Sequence, residues 1–176
     1  MTRTLPPPRR SGTPYRIGLV CLGNICRSAM AEVVLTERLT KAGLTDQVEV
    51  VSSGTGDWHV GKPMDRRAAA LLTAHGYDAS RHRAQQFDIG WFEDFDLILA
   101  MDSQNREDLE TLGVDRDEPE RLRMFRDFDP RAGSDGADRD VPDPYYGGDE
   151  GFETVLAMIH RTSDELVSAL ARERVG

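Results

Sequence analysis

The stretch RIGLVCLGNICRSAMAEVVLTERLTKAG, residues 16–43, constrains this chain more than any other. Arg16–Cys21 is β-rich and apolar enough for a buried strand, and the residues from Ser28 onward read as a helix, with Glu32 in its first turn and Gly43 as its stop. Between them lies a short loop. A loop of that length ahead of a helix N-terminus can curl so that successive backbone N–H groups converge on one point. Amides and helix dipole together then make an anion site. Arg27, six positions after Cys21, can add a bidentate guanidinium to two oxygens of a bound oxyanion. The same positive field favours the thiolate form of Cys21, and such a sulfur can attack a phosphorus held in the cradle. Gly23 permits close backbone approach, and Asn24 tolerates a left-handed conformation. Ser28 is expected both to cap the helix and to donate a hydrogen bond to the sulfur as it leaves. A cysteine at a strand end is ordinarily a small buried hydrophobe; the strand–loop–helix context outweighs that reading here.

The rest of the chain repeats the pattern. Val48–Ser52 reads as a second strand, and Asp65 opens the helix DRRAAALLTAHG, closed by Gly76. Leu97–Met101 is a continuous apolar run suited to burial on both faces. Asp102 and Ser103 then cap a helix to about Leu112, and Arg121–Phe125 is a weaker fourth strand. Phe152, Val155, Leu156, Ile159, Ser163, Leu166, Val167 and Leu170 trace one face of a last helix. Strand and helix alternating four times predict an α/β fold: one domain over residues 15–176, with a four-stranded parallel sheet of order 2-1-3-4 and helices on both faces. In such sheets ligands bind beyond the carboxyl ends of the strands, where strand order reverses, and Cys21 ends strand one. Residues 1–14 hold four of the nine prolines and are expected to be a disordered leader.

Composition narrows the function classes. With 31 Asp and Glu against 22 Lys and Arg, the net charge is -9, which argues against a nucleic-acid binder gripping phosphates by bulk charge. No apolar run approaches the roughly 18 residues of a membrane span. The only cysteines, Cys21 and Cys26, neither build a disulfide scaffold nor, with four scattered histidines, a zinc site, and they fit a reducing cytoplasm. No metal and no cofactor is called for, and a monomer is the expected state. The acidic stretch from Asp127 to Asp140 lacks calcium-loop spacing and reads as a solvated loop.

A phosphate ester needs a proton for its departing oxygen. Asp143, flanked by Pro142 and Pro144, has the restrained backbone such a donor requires, and an incoming dianion favours its protonated form. Trp58, Tyr145 and Tyr146 are three of only twelve aromatics and all fall in loops, where they can wall a slot for an aryl phosphate. Such a slot favours phosphotyrosine over the shorter phosphoserine.

CLGNICRS on strand one, with DPYYGG near the last helix, resembles the low-molecular-weight protein tyrosine phosphatases, and actinobacterial members in the length of the acidic stretch. SSGT at Ser52–Thr55, WHVGKP at Trp58–Pro63, His82 and MDSQN at Met101–Asn105 support it in the same chain order. The resemblance implies Cys21 as nucleophile, Arg27 as phosphate clamp and Asp143 as general acid. It implies that Asn24, His82 and Ser53 support the loop. It further implies that Leu22, Ile25, Trp58, Tyr145 and Tyr146 line the mouth, with the loop residues Gly23, Asn24, Cys26 and Ser28 around the substrate's phosphate. Phosphotyrosine proteins would be the substrates, with inorganic phosphate or another oxyanion able to occupy the site. Ala29 departs from the family's usual proline, a good first helical residue. An arsenate reductase of this fold would need redox cysteines after Cys26, and a phosphoarginine phosphatase a threonine where Ile25 stands. A non-catalytic phospho-ligand module would lack Cys21 or Asp143. Cys26, on the same loop, is expected to condense with a sulfenic acid at Cys21 and so store the enzyme reversibly; the resemblance favours this redox role.

Overall fold

β1 (Tyr15–Cys21) runs through the middle of a parallel sheet of order β2-β1-β3-β4 in the computed structural model, which describes residues 4–113, 118–133 and 139–174. β2 (Val48–Gly54) pairs with it from Tyr15↔Val48 to Cys21↔Gly54. β3 (Leu97–Ala100) lies on its other side and carries the short β4 (Leu122–Met124). The predicted sheet order and strand direction are those observed. β3 is buried at every residue, as a run without polar alternation requires.

The sequence signals the end of the first helix and the starts of two later ones. α1 (Arg27–Lys41) stops at Gly43, whose φ of 72° is the left-handed turn that glycine adopts without steric cost. α2 (Arg66–Ala74) starts on Asp65, whose carboxylate accepts from the Arg67 and Ala68 amides. α4 (Ser103–Thr111) starts on a reciprocal box between Asp102 and Asn105. Asp149–Arg174 forms α5. One face of the sheet, with Ile17, Leu19, Leu97 and Leu99, packs against α1 and α5; Phe152, Val155, Ile159, Leu166 and Leu170 of the predicted stripe are all buried there. The other face, with Val20, Ile98 and Ala100, packs on Leu109 of α4 and on Phe92 of a single turn, α3 (Trp91–Asp94), which no periodicity announces. Full burial of each large apolar side chain contributes about 1.5–3 kcal/mol. No helix among the described residues is long and apolar enough to cross a membrane.

Two expectations fail. The leader is not disordered from Thr4 onward, while residues 1–3 lie outside the described residues. Leu5 is buried in the main core, and the Tyr15 hydroxyl donates to the Pro6 carbonyl. The Arg9 amide donates to Asp96, and its guanidinium to the carbonyls of Phe92 and Phe95. An extended proline-rich segment has no internal hydrogen bonds, so its backbone is available to partners elsewhere. The start of the acidic stretch is not solvated either; residues 134–138 lie outside the described residues. Phe125–Phe128 form a 3-10 turn, and the Asp129 side chain is fully buried between Arg126 (2.9 Å) and Arg161 (3.1 Å). Arg126 also donates to the Asp140 carbonyl, so this cluster ties β4, α5 and the approach to Asp143 together.

Burial alone pushes the Asp129 carboxyl up, but the guanidinium groups of Arg161 and Arg126 and the Arg131 amide outweigh it and hold the group below its ordinary 3.8. A depressed folded value contributes stability above the unfolded value and loses it as pH falls through the folded one. Asp129→Asn is therefore expected to lower unfolding free energy at pH 7 by on the order of 3 kcal/mol. It should also give a shallower loss of stability below pH ~4 than wild type. Urea titrations from pH 7 to pH ~3 check this, and parallel curves for the two proteins would contradict it.

Candidate active site

The loop after β1 closes on itself because one residue takes an unusual backbone conformation. Asn24 has φ 57°, the only positive φ outside glycine among the described residues, and it is fully buried. Its side chain fastens the turn: Nδ2 donates to Ser28 Oγ (2.8 Å) and Ser52 Oγ (2.9 Å), and Oδ1 accepts from the Gln85 amide (3.0 Å). Its carbonyl lies 2.6 Å from His82 Nε2, which must carry the proton because a carbonyl only accepts. His82 Nδ1 faces Glu32 at 3.9 Å. β2 can approach this closely only because it ends in glycine: a Cβ on Gly54 would sit 2.6 Å from the Leu22 carbonyl oxygen.

That curl aims the Asn24 amide at Cys21 Sγ (3.3 Å), and Ser28 Oγ lies 2.9 Å from the same sulfur. Arg27 begins α1 with 3% of its side chain exposed. Its Nη1 meets Asp102 at 2.6 Å and the Val141 carbonyl at 3.1 Å, and its Nη2 faces Asp143 at 3.5 Å. Burial works against its charge, but Cys21, Asp102 and Asp143 work for it, and the net effect raises its pKa and keeps it a cation. Asp143 Oδ1 in turn accepts from the Tyr145 amide at 3.0 Å.

A cavity of about 300 Å³ gathers these groups, lined by the loop Cys21–Arg27, Trp58, His59, Asp143, Tyr145 and Tyr146. Cys21, Leu22, Gly23, Asn24, Ile25, Cys26, Arg27, Trp58, Asp143, Tyr145 and Tyr146 thus lie around one cavity. Trp58 and Tyr146 are 66% and 87% exposed, free to meet a ligand rather than cover a core. Burial foremost, then the charges of Asp65, Cys21 and Asp143, raise the Cys26 thiol far above its ordinary range, so it stays protonated at neutral pH.

Two residues, Ser28 and Ser53, are placed differently from expectation. Ser28 neither caps α1 nor lines the cavity. Cys26 is the cap position, and Ser28 lies fully buried behind the sulfur. Ser53 supports the loop only through its carbonyl, which accepts from Ser28 Oγ at 3.3 Å. The supporting hydroxyl is that of Ser52, while the Ser53 hydroxyl has no hydrogen-bond partner among the described residues. Sequence reasoning also missed Asp102 as the partner of Arg27, having read it as a helix cap, and it missed His59 in the cavity wall. The MDSQN match covered Asp102, but its second role depends on a residue 75 positions away. Among the described residues, no group of three or more His, Cys, Asp or Glu side chains converges to hold a metal ion.

A family model described as low molecular weight phosphotyrosine protein phosphatase matches residues 16–175. The chain is 45% identical over 161 residues to a low molecular weight protein-tyrosine-phosphatase of Streptomyces coelicolor, covering 92% of this chain and 96% of that one. It is 47% identical over 146 residues to low molecular weight protein-tyrosine phosphatase A of Mycobacterium tuberculosis, covering 83% and 85%. The crystal structure of YfkJ from Bacillus subtilis superposes with a TM-score of 0.83 at 30% identity, covering 94% of this chain and 99% of that one.

The hub role of Asn24 sets an expected outcome. Asn24→Ala loses three buried side-chain bonds and keeps a Cβ in the left-handed region, at a cost of about 3 kcal/mol of stability. Asn24→Gly relieves only the strain and should recover about 1 kcal/mol. Both should weaken phosphate binding, measured by calorimetry beside urea unfolding. Equal stability of the alanine and glycine variants would show the conformation to be unstrained.

Proposed function

Since the chain belongs to the low molecular weight phosphotyrosine protein phosphatase family, we propose that it hydrolyses phosphotyrosine in proteins, and small aryl phosphates, through a cysteinyl-phosphate. The observation that carries this reading is the convergence of Cys21, Arg27 and Asp143 on one cavity walled by Trp58, Tyr145 and Tyr146. In the first step the Cys21 thiolate attacks phosphorus in line with the departing oxygen. The S–P bond forms, the P–O bond breaks, and Asp143 gives its proton to the phenolate. In the second step water attacks the same phosphorus, Asp143 takes a proton from it, and the S–P bond breaks. Arg27 holds the phosphoryl oxygens throughout, where charge is greatest. The Ser28 hydroxyl, 2.9 Å from the sulfur, steadies the thiolate as it leaves. Inorganic phosphate is both product and occupant of the cradle.

Oxidation belongs to the same reading. Peroxide converts the Cys21 thiolate to a sulfenic acid, and attack by Cys26 on that sulfur would expel water and form a disulfide. Both thiols are free and buried, which fits a reducing cytoplasm as the place of work. Cys26, held protonated by burial and by Asp65, must lose its proton to react, so it competes poorly as a nucleophile towards phosphate.

Two experiments test these steps. Cys21→Ser keeps the cradle but offers a hydroxyl that stays protonated, so hydrolysis of p-nitrophenyl phosphate should vanish while vanadate still binds. Appreciable turnover by that variant would remove Cys21 as the nucleophile. Wild type treated with peroxide and then dithiothreitol should recover most of its activity, whereas Cys26→Ser should recover far less and carry a sulfinic acid at Cys21 by mass. Equal recovery would leave Cys26 a packing residue.

A further inference from the structure

α2 is joined to both reacting halves of the site, though none of its residues lines the cavity. Its cap residue Asp65 donates its amide to the Ile25 carbonyl of the phosphate loop at 2.9 Å. Its second residue, Arg67, reaches the other way. Arg67 Nη2 donates to the Tyr145 carbonyl at 2.9 Å and Nη1 to the Gly147 carbonyl at 3.1 Å. The Asp65 carboxylate accepts from Nε and Nη2, both at 3.3 Å, and so fixes the plane of the guanidinium. The ring of Phe152 supports it at 4.6 Å.

The peptide unit held in this way is the one that matters for Asp143. The Tyr145 carbonyl is on Arg67, and the Tyr145 amide is on Asp143 Oδ1 at 3.0 Å. Asp143 has a third of its side chain exposed, and its one ion pair among the described residues, with Arg27 at 3.5 Å, is to the group that a phosphoryl ligand will claim. When a ligand engages Arg27, the Tyr145 amide is what remains to orient the carboxyl group, and Arg67 holds that amide's residue from outside.

We propose that Arg67 is a positioning residue for proton donation: it fixes the Asp143–Gly147 turn to α2, and α2 to the phosphate loop, so that Asp143 sits above the phosphorus. This rests on the reading of Asp143 as the general acid. The forked guanidinium is needed because two carbonyls and one carboxylate must be met in one plane, which a lysine ammonium cannot do. Misplacing a catalytic group by about 1 Å costs on the order of 100-fold.

The test compares kcat/KM over aryl phosphates running from dinitrophenyl to phenyl phosphate, for wild type, Arg67→Met, Arg67→Lys, Asp143→Ala and Arg67→Met with Asp143→Ala. Methionine keeps the apolar stem over Phe152, and thermal melts and vanadate affinity report whether the cradle survives. Arg67→Met should lose about 10- to 100-fold on phenyl phosphate and little on the dinitrophenyl ester, whose leaving group needs no proton. Arg67→Lys should be nearly as impaired, and Arg67→Met should add no leaving-group dependence once Asp143 is alanine. A uniform loss across the series, full rescue by lysine, or an unchanged penalty in the Asp143→Ala background would overturn the positioning role. So would an effect confined to KM for phosphopeptides, which would make Arg67 a substrate contact. A flat series for Asp143→Ala alone would instead overturn the general-acid assignment, and this role of Arg67 with it.

Discussion

A guanidinium with only 3% of its side chain exposed must find negative partners, because an unpaired buried charge costs several kcal/mol. For Arg27 those partners come from distant parts of the chain. Asp102 lies two residues beyond β3 at the cap of α4, the Val141 carbonyl lies 114 positions along, and Asp143 follows it. The requirement to neutralise one cation therefore draws the first strand's loop, the third strand's end and the acid-bearing segment to a single point. Asp102 serves twice, with Oδ2 on Arg27 and Oδ1 on the Asn105 amide that opens α4. The orientation of the arginine and the start of α4 are consequently coupled. The acid segment is fixed from behind as well, since the Val141 amide donates to the Met101 carbonyl at 2.7 Å.

The cradle faces a second constraint, which is to remain curled without an anion at its centre. Converging amides repel one another when nothing negative lies between them. The Asn24 side chain answers this by bonding across the loop to Ser28, Ser52 and Gln85, so that the curl is held by neutral hydrogen bonds from behind. Pre-organisation of this kind means that little of the ligand's binding energy is used to order the loop.

Features set by near neighbours were legible in the sequence. Strand, loop and helix order, the caps at Asp65 and Asp102, the arginine six positions from the cysteine and the aspartate between prolines all depend on local spacing. So was the sheet order, once four parallel units were counted. What escaped depends on contacts across the chain. Arg67 reads as an ordinary first-turn residue of α2, and nothing near it in sequence indicates that its acceptors lie 78 and 80 positions away. Asp129 reads as one more charge in an acidic run, yet it is the buried partner of two arginines. The proline-rich leader looks incapable of packing, but Leu5 and Arg9 within it carry the anchors. Ser28 reads as a cap by position alone, but α1 starts earlier, at Arg27 with Cys26 in the cap position, which leaves Ser28 inside the first turn.

Arg27 also limits how the site can respond to a ligand. Nη1 is engaged by Asp102 and the Val141 carbonyl, while Nη2 faces Asp143. A dianion entering the cradle meets this second nitrogen, and so brings its charge against the Asp143 carboxylate. Two anions on one guanidinium edge repel, so a bound dianion weakens the contact between Arg27 and Asp143. The carboxyl group then gives up its ion pair and keeps its bond to the Tyr145 amide, which accepts no charge and does not compete with the phosphate. Substrate entry thus passes the orientation of Asp143 from Arg27 to the Tyr145 amide, because the guanidinium edge that faces Asp143 is the one that Asp102 and the Val141 carbonyl leave open to a phosphoryl group.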